Sequence, residues 1–140
     1  MIDELRRAEL CAMTYYSGGY AFDSPEDMIR RAKAAGCTAI AIADMDTVRA
    51  FPSAARAARE VGIKVIYGVQ LIMINDESRA YYEAEWHRVT LLARDKEGLH
   101  DLYRLMSRAI ERGAYHFTYV TRAEISECRA HLLVGSDGVN

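Results

Sequence analysis

The sequence predicts an α/β fold in which about five parallel strands alternate with helices on the outside. Three observations indicate this class. Short apolar runs rich in β-branched residues recur along the chain, segments with helical periodicity separate them, and glycine, proline and capping residues mark the boundaries. Periodicity alone is compatible with a doubly wound sheet and with an incomplete barrel, so both arrangements remain open at this point.

Composition sets the broad class of the protein. The chain has 140 residues, 51% of them hydrophobic, and this predicts a single domain over 1–140 with a substantial core. The formal net charge is −2 and the charges are interspersed, so we expect no direct binding of duplex DNA. The sequence also lacks an apolar run of membrane-spanning length and a signal-like N-terminus. Three cysteines without a CxxC pair indicate reduced thiols and a cytoplasmic protein.

The first strand is predicted at residues 8–13, where Cys11 and Met13 would share one face because side chains alternate along a strand. A loop rich in tyrosine and glycine follows. Ser24 and Pro25 then predict the start of a helix, with a hydroxyl N-cap and a proline at the first helical position.

The second strand is predicted at residues 38–43, an apolar, alanine-rich run typical of a strand buried on both faces. Asp44, Met45 and Asp46 follow directly. Ligands collect at the carboxyl ends of strands in parallel α/β folds, so this is where we expect chemistry. An aspartate suits such a position, whereas a methionine does not. Asp46 is also interpretable as the N-cap of the next helix.

The rest of the chain continues the alternation of strands and helices. A capping box of Thr121 and Glu124 predicts a short helix near the end, and the aromatic segment 114–120 is ambiguous. The remaining predicted elements are a helix from residue 52 to 61, strands at 63–74, 88–93 and 131–134, and a helix at 96–112.

Several stretches, in order, carry a family resemblance: ELCAMT at residues 9–14, ADM at 43–45, FPSAARAAREVGIKVIYGVQ at 51–70 and HRVTLLA at 87–93. The chain resembles the PHP (polymerase and histidinol phosphatase) domain of bacterial DNA polymerase III α subunits, with most similarity to the Gram-positive type. The resemblance implies a distorted (β/α) barrel, here truncated to about five parallel strands with outer helices. Residues 75–85 occupy the place of that type's exonuclease insertion, so we expect no exonuclease.

Active members of this family cluster metal ions at the strand tips and hydrolyse phosphoesters, using imidazole and carboxylate ligands. Only two of the corresponding positions keep the family's residue here. The positions are Cys11, Met13, Asp44, Met45, Gln70, His87 and Gly138, of which Asp44 and His87 are unchanged. Thioether and amide groups are poor ligands for Zn or Mn.

The substitutions therefore predict a degenerate, non-catalytic PHP domain with a structural or partner-binding role. We expect no catalytic residue and no cofactor, with Asp44 and His87 as the ligands if any metal binds. These two side chains are also interpretable as hydrogen-bonded to each other in the remnant of the site.

Two other functions remain open from the sequence. The first is a metal-dependent phosphoesterase that binds Zn or Mn through an altered ligand set. The second is a soft-metal or redox site, because Cys11, Met13, Met45 and His87 together offer ligands that suit Cu(I). The simplest interpretation of the methionines is that they fill the core, and that Cys11 is a small buried hydrophobic residue.

The truncated barrel leads to a prediction about partners. A barrel that lacks its closing strands exposes sheet edges, which are prone to pair with other chains. We therefore predict a homodimer that buries on the order of 1,000 Å² or more, with the last strand or the final helix at the interface. The resemblance adds DNA polymerase subunits as candidate partners, and a membrane partner is not expected.

Overall fold

The computed structural model describes residues 7–75, 85–113 and 117–136. The chain divides into two compact units, residues 1–68 and 69–140, and each unit is described by itself. The single domain predicted over 1–140 stays a prediction.

The first unit contains two parallel strands, two helices and the start of a third strand. The parallel pair of β1 and β2 brings Ala8 beside Ala39 and Ala12 beside Ile42, with register shifts between these positions. Helix α1 packs against α2 and against β2. The elements are β1 (Arg7–Ala12), a 3-10 turn (Tyr15–Ser17), α1 (Pro25–Ala34), β2 (Cys37–Met45), α2 (Phe51–Val61) and the first part of β3 (Lys64–Ile74).

Local sequence explains these elements well. The Ser24 side chain accepts a hydrogen bond from the Asp27 N–H and Pro25 opens the helix, as predicted for α1. Ile40 and Ile42 are fully buried, as expected for a strand with two covered faces. They pack in one apolar cluster with Ile29 of α1 and with the alanines of α2.

The interpretation of Asp46 as the N-cap of the second helix is wrong. Helix α2 begins at Phe51, and its N-cap is Ala50, which makes no side-chain capping bond. Asp46 instead has a positive φ of 55°. This left-handed conformation turns the chain directly after β2, and a further turn closed by the Phe51 N–H and the Val48 carbonyl precedes the helix.

The second unit contains the rest of β3, three more strands and two helices. Helix α3 packs against β4 and β5, as expected from its apolar face, and the predicted capping box of Thr121 and Glu124 forms at the start of α4. The elements are β4 (Trp86–Ala93), α3 (Lys96–Gly113), β5 (Tyr119–Thr121), α4 (Arg122–Glu127) and β6 (Leu132–Ser136).

The α/β class is confirmed, but the prediction that all strands run parallel is wrong. The described residues form six strands, and the ambiguous aromatic segment supplies one of them, β5, which pairs in parallel with β3. Strand β6 runs antiparallel to β4. The Arg94 N–H donates to the His131 carbonyl, so β6 starts where β4 ends and runs back along it. The spacing of apolar residues indicates which residues are buried but not the direction in which a strand runs, so it does not predict that β6 is antiparallel.

Candidate functional site

Asp44 lies at the end of β2, where the sequence predicts chemistry, and it is almost completely buried, with 1% exposure. Its carboxylate accepts three hydrogen bonds. The Thr14 N–H donates to Oδ1 over 2.6 Å, the Thr14 hydroxyl donates to Oδ2 over 2.8 Å, and the Ser17 hydroxyl donates to Oδ1 over 2.6 Å. All three distances are short for hydrogen bonds between these atom types.

The two hydroxyl groups connect this carboxylate to the surrounding backbone. The Ser17 oxygen also accepts from the Met45 N–H over 3.1 Å, and the Thr14 oxygen accepts from the Tyr16 N–H over 3.3 Å. Thr14 and Ser17 are themselves buried. The network therefore ties the turn after β1 to the carboxyl end of β2 through neutral donors alone.

Thr14 and Ser17 were not among the candidate site residues predicted from the sequence. A signal for them was present, because hydroxyl residues that end a strand and begin a turn are natural hydrogen-bond partners for a nearby carboxylate. Local sequence does not reveal which carboxylate they bond, because Asp44 follows Thr14 by thirty positions along the chain.

The other candidate positions of the first unit differ in exposure. Met13 and Met45 are half-buried. Cys11 is exposed and does not fill the core, so the interpretation of a buried hydrophobic residue is wrong. The cause is an irregular register of β1 between Glu9 and Ala12, where the Glu9 carboxylate accepts from the Cys11 N–H over 3.3 Å. All three cysteines, Cys11, Cys37 and Cys128, are free, as expected for reduced thiols.

The candidate positions of the second unit lie on β3 and β4. Gln70 is buried, with 5% exposure. The side chain of His87 is 42% exposed, and its Nε2 lies 3.9 Å from the Glu85 carboxylate. Gly138 lies outside the described residues. The hydrogen bond suggested between Asp44 and His87 stays a prediction; the described hydrogen bonds of Asp44 come from Thr14 and Ser17.

The described parts of the chain contain no group of three or more His, Cys, Asp or Glu side chains placed to hold a metal ion. Within the same residues, no helix is long and apolar enough to cross a membrane.

One further imidazole is held by a carboxylate in the second unit. His131 Nδ1 lies 2.9 Å from Oδ2 of Asp95, whose other oxygen accepts from the Gly98 N–H over 2.8 Å. This hydrogen bond raises the pKa of His131 above its ordinary value and lowers the pKa of Asp95. The pair joins the first turn of α3 to the chain just before β6.

Comparison with known proteins gives one family and a consistent set of relatives. The PHP domain family matches residues 11–139. The DNA polymerase III PolC-type of Caldanaerobacter subterraneus is 40% identical over 92 residues, which is 61% of this chain and 7% of that protein. The DNA polymerase III subunit alpha of Buchnera aphidicola is 30% identical over 125 residues, which is 88% of this chain and 10% of that protein. The chain thus spans about a tenth or less of these relatives.

A solved structure supports the same fold. The structure of a putative metal-dependent phosphoesterase from Bifidobacterium adolescentis superposes with a TM-score of 0.54 at 17% identity. The superposition covers 75% of this chain and 33% of the other. At this identity the likeness is a likeness of fold.

Proposed function

This chain belongs to the PHP domain family, related to DNA polymerase III, and we propose that it is a non-catalytic member that acts by binding a protein partner. The proposal rests on one observation. At the strand tip where the resemblance implies a metal ligand, the Asp44 carboxylate is buried and already accepts three hydrogen bonds from Thr14 and Ser17. Protein donors thus occupy three of the roughly four lone-pair positions of this carboxylate, which leaves at most one for a metal ion.

The donor chemistry of the other positions supports the same proposal. Met13, Met45 and Gln70 offer thioether sulfurs and an amide, which bind Zn or Mn poorly and cannot deprotonate. Cys11 is exposed on β1, outside any described group of ligand-type residues. The side chains at these positions therefore do not fit a cluster of Zn or Mn ions.

The test is metal analysis of the purified protein together with phosphoesterase assays in the presence of added Mn or Zn. We expect no bound stoichiometric metal and no hydrolysis of phosphomonoesters or phosphodiesters above background. An activity that EDTA abolishes and that His87→Ala removes would contradict the proposal and favour a phosphoesterase with an altered ligand set. A converse variant carries Cys11→His, Met13→His, Met45→His and Gln70→Glu, and it should gain affinity for Zn.

The copper alternative has its own test. Cys11 and the half-buried Met13 and Met45 all belong to the first unit, and a thiolate with two thioethers would suit Cu(I). Anaerobic titration of Cu(I) against a competing chelator should give the same weak affinity for the wild-type chain and for Cys11→Ser. A tenfold loss of affinity in that variant would show that a soft site exists.

The protein partner that we propose does not depend on whether the domain has lost its catalytic activity. The relatives are DNA polymerases, so a replication assembly is the context in which we place the partner. The homodimer predicted from the sequence stays a prediction, and light scattering over a range of protein concentrations tests it.

A further inference from the structure

The loop between β1 and α1 carries the exposed aromatic side chains of the described first unit. Tyr15 is 48% exposed, Tyr20 is 70% exposed and Phe22 is 91% exposed. The Tyr15 N–H donates to the Asp23 carbonyl over 2.9 Å, so the two ends of the loop are joined. Exposed apolar side chains that are concentrated in one place indicate a binding surface.

Tyr15, Tyr16 and Arg49 form a stacked column at the base of this loop. The rings of Tyr15 and Tyr16 are stacked, with centroids 4.6 Å apart and an angle of 27° between their planes. The Arg49 guanidinium lies over the Tyr16 ring at 5.3 Å from its centroid. A ring and a guanidinium cannot share one face of Tyr16, so Tyr16 is the middle layer. The outer face of Tyr15 is therefore the open end of the column.

The middle layer of the column is fixed by the rest of the first unit. Tyr16 packs against the apolar cluster that contains Ile29 and Ile40. Its N–H donates to the Thr14 hydroxyl, which in turn donates to Asp44. An aromatic surface that is already ordered loses little conformational entropy when a ligand binds, and this favours affinity.

Charge around the column is nearly balanced. Two carboxylates of this region are paired with arginines of α1, in the pairs Asp23–Arg31 and Asp27–Arg30. The pKa of Tyr15 is raised mainly by its hydrogen bond with Tyr16, and Glu26 raises it further whereas Arg49 lowers it. Asp46, directly after β2, adds one more carboxylate. The region therefore attracts neither acidic nor basic ligands strongly, and the aromatic faces decide which ligand fits.

An unpaired nucleobase fits the open face of Tyr15. Every base has a planar π-face, and bases stack on aromatic side chains without needing a charge. An aromatic side chain of a peptide could stack as well, but it brings no anion to Arg49, whose guanidinium makes no ion pair within the described residues. Arg49 lies two layers from the open face, so it reaches a phosphate further along a strand and not that of the stacked base. A strand of several nucleotides therefore fits better than a mononucleotide.

We propose that the column of Tyr15, Tyr16 and Arg49 binds single-stranded nucleic acid. An unpaired base stacks on Tyr15, Arg49 contacts a phosphate further along the strand, and Tyr20 and Phe22 offer faces to neighbouring bases. In a duplex the faces of the bases are covered by their neighbours, so duplex DNA does not bind. This inference goes beyond the proposed function and does not depend on it.

The test is fluorescence anisotropy with a labelled strand of about eight thymidines, a length within the range that single-strand sites cover. The matched control is an abasic strand with the same phosphates and no bases, and a blunt GC-rich duplex is the second control. We expect the thymidine strand to bind the wild-type chain at least about tenfold more tightly than either. Stacking predicts that a uridine strand, representing RNA, binds as well.

Variants of Tyr15 test the stacked base. Tyr15→Ala removes the open face and should weaken binding about tenfold, whereas Tyr15→Phe keeps the face and should bind within about twofold of the wild type. The matched control is Tyr103→Ala on α3 of the second unit, because Tyr103 is 42% exposed, close to the value for Tyr15. It should leave binding unchanged.

Salt dependence tests the phosphate contact. One contact predicts that wild-type affinity falls about two- to threefold between about 50 and 200 mM salt. Arg49→Met should bind more weakly at low salt and should lose this dependence. The control Arg56→Met, which removes an exposed arginine of α2, should behave like the wild type.

Circular dichroism checks folding, and Tyr15→Leu replaces Tyr15→Ala if the alanine variant unfolds, because leucine keeps an apolar contact without a flat ring. Equal binding of the thymidine and abasic strands would overturn the inference. Binding that the Tyr15 variants leave unchanged, or no binding by the folded wild type at about 1 mM strand, would overturn it too. A proline-rich peptide that binds in place of the strands, and that Tyr15→Ala releases, would assign the column to a protein partner instead. The metal and phosphoesterase assays test the proposed function separately.

Discussion

The two compact units each anchor a carboxylate, but they do so with different partners. In the first unit, Asp44 is held by two hydroxyls and one backbone N–H, with no cation among these hydrogen-bond donors. In the second unit, Glu124 is held by Arg112 in a two-pronged ion pair, with distances of 2.5 Å and 2.8 Å. Arg108 adds a third nitrogen at 3.6 Å.

Charged and aromatic groups around Glu124 stabilise its ionised carboxylate. Its carboxylate also accepts from the Thr121 N–H in the capping box, and the Arg112 guanidinium lies over the Tyr119 ring at 5.3 Å. The hydrogen bonds from Arg112 lower the pKa of Glu124 to about 2. The comparison teaches that the strand-tip carboxylate is fixed by directional neutral bonds, whereas the helix carboxylate is fixed by charge.

The largest effect is expected from removing the strand-tip carboxylate. Asp44→Ala leaves the Thr14 N–H and the hydroxyls of Thr14 and Ser17 buried without their acceptor, so we expect a loss of about 4 kcal/mol in the free energy of unfolding. Urea denaturation measures this loss. If Asp44→Ala had the same urea midpoint as the wild type, the hydrogen bonds to Asp44 would not contribute to stability. The difference proposed between the two carboxylate sites would then be wrong.

Matched controls separate the network from general effects of losing a carboxylate. Glu60→Ala removes an exposed carboxylate from α2 and should change stability by about 0.5 kcal/mol or less. Asp44→Asn keeps the shape and one acceptor oxygen but turns an amide N–H₂ toward the donors, so its loss should fall between those of the two alanine variants.

A smaller effect is expected at the charged site. Glu124→Gln keeps the side-chain shape but removes the ion pair with Arg112, and we expect a loss of about 2 kcal/mol near neutral pH. The folded pKa of about 2 lies below the ordinary value of 4.5, so this stabilisation is present above the ordinary value. It disappears as the pH falls through about 2.

The measurement is the difference in unfolding free energy between wild type and Glu124→Gln as a function of pH. The difference should shrink steadily on acidification and should also shrink at high salt, because partly exposed ion pairs are screened. Arg112→Lys is the control for geometry, since lysine cannot make the two-pronged contact. A difference that stays constant down to the lowest pH would show that the cap, and not the charge, holds the helix.

The sequence predicted the first unit more completely than the second. Residues 38–43 were identifiable as a buried strand because apolar residues run without interruption there, and Ser24 with Pro25 marked the helix start correctly. The wrong prediction for the second unit, that all of its strands run parallel, has a physical cause. The reversal of β6 depends on the contact between Arg94 and His131, which lie far apart in the sequence, and local patterns carry no information about it.

In the candidate site, too, local sequence identified one residue but not the residues that contact it. Asp44 was identifiable because a carboxylate directly follows a buried strand. Its partners were not, because the hydrogen bonds to Thr14 and Ser17 join residues thirty and twenty-seven positions away. Cys11 was misplaced because the sequence does not reveal the irregular register of β1.

The smallest effect is expected from a third carboxylate, Asp95, whose partner His131 is neither a hydroxyl nor a permanent cation. The hydrogen bond to Asp95 is the main cause of the raised pKa of His131, with the carboxylates of Asp101 and Glu97 adding to it and burial opposing it. A raised folded pKa means that the stabilisation is fully present below the ordinary value of 6.5 and is lost as the pH rises through the folded value. The melting temperature of the wild type should therefore fall slightly through that range.

The control is Asp95→Asn, which can still accept from the Gly98 N–H in the first turn of α3 but cannot attract a protonated imidazole. Its melting temperature should lack the decline seen in the wild type across the same pH range. The NMR titration of the His131 ring should also move toward the ordinary pKa in this variant. If both proteins show the same decline, the pair does not hold the start of β6.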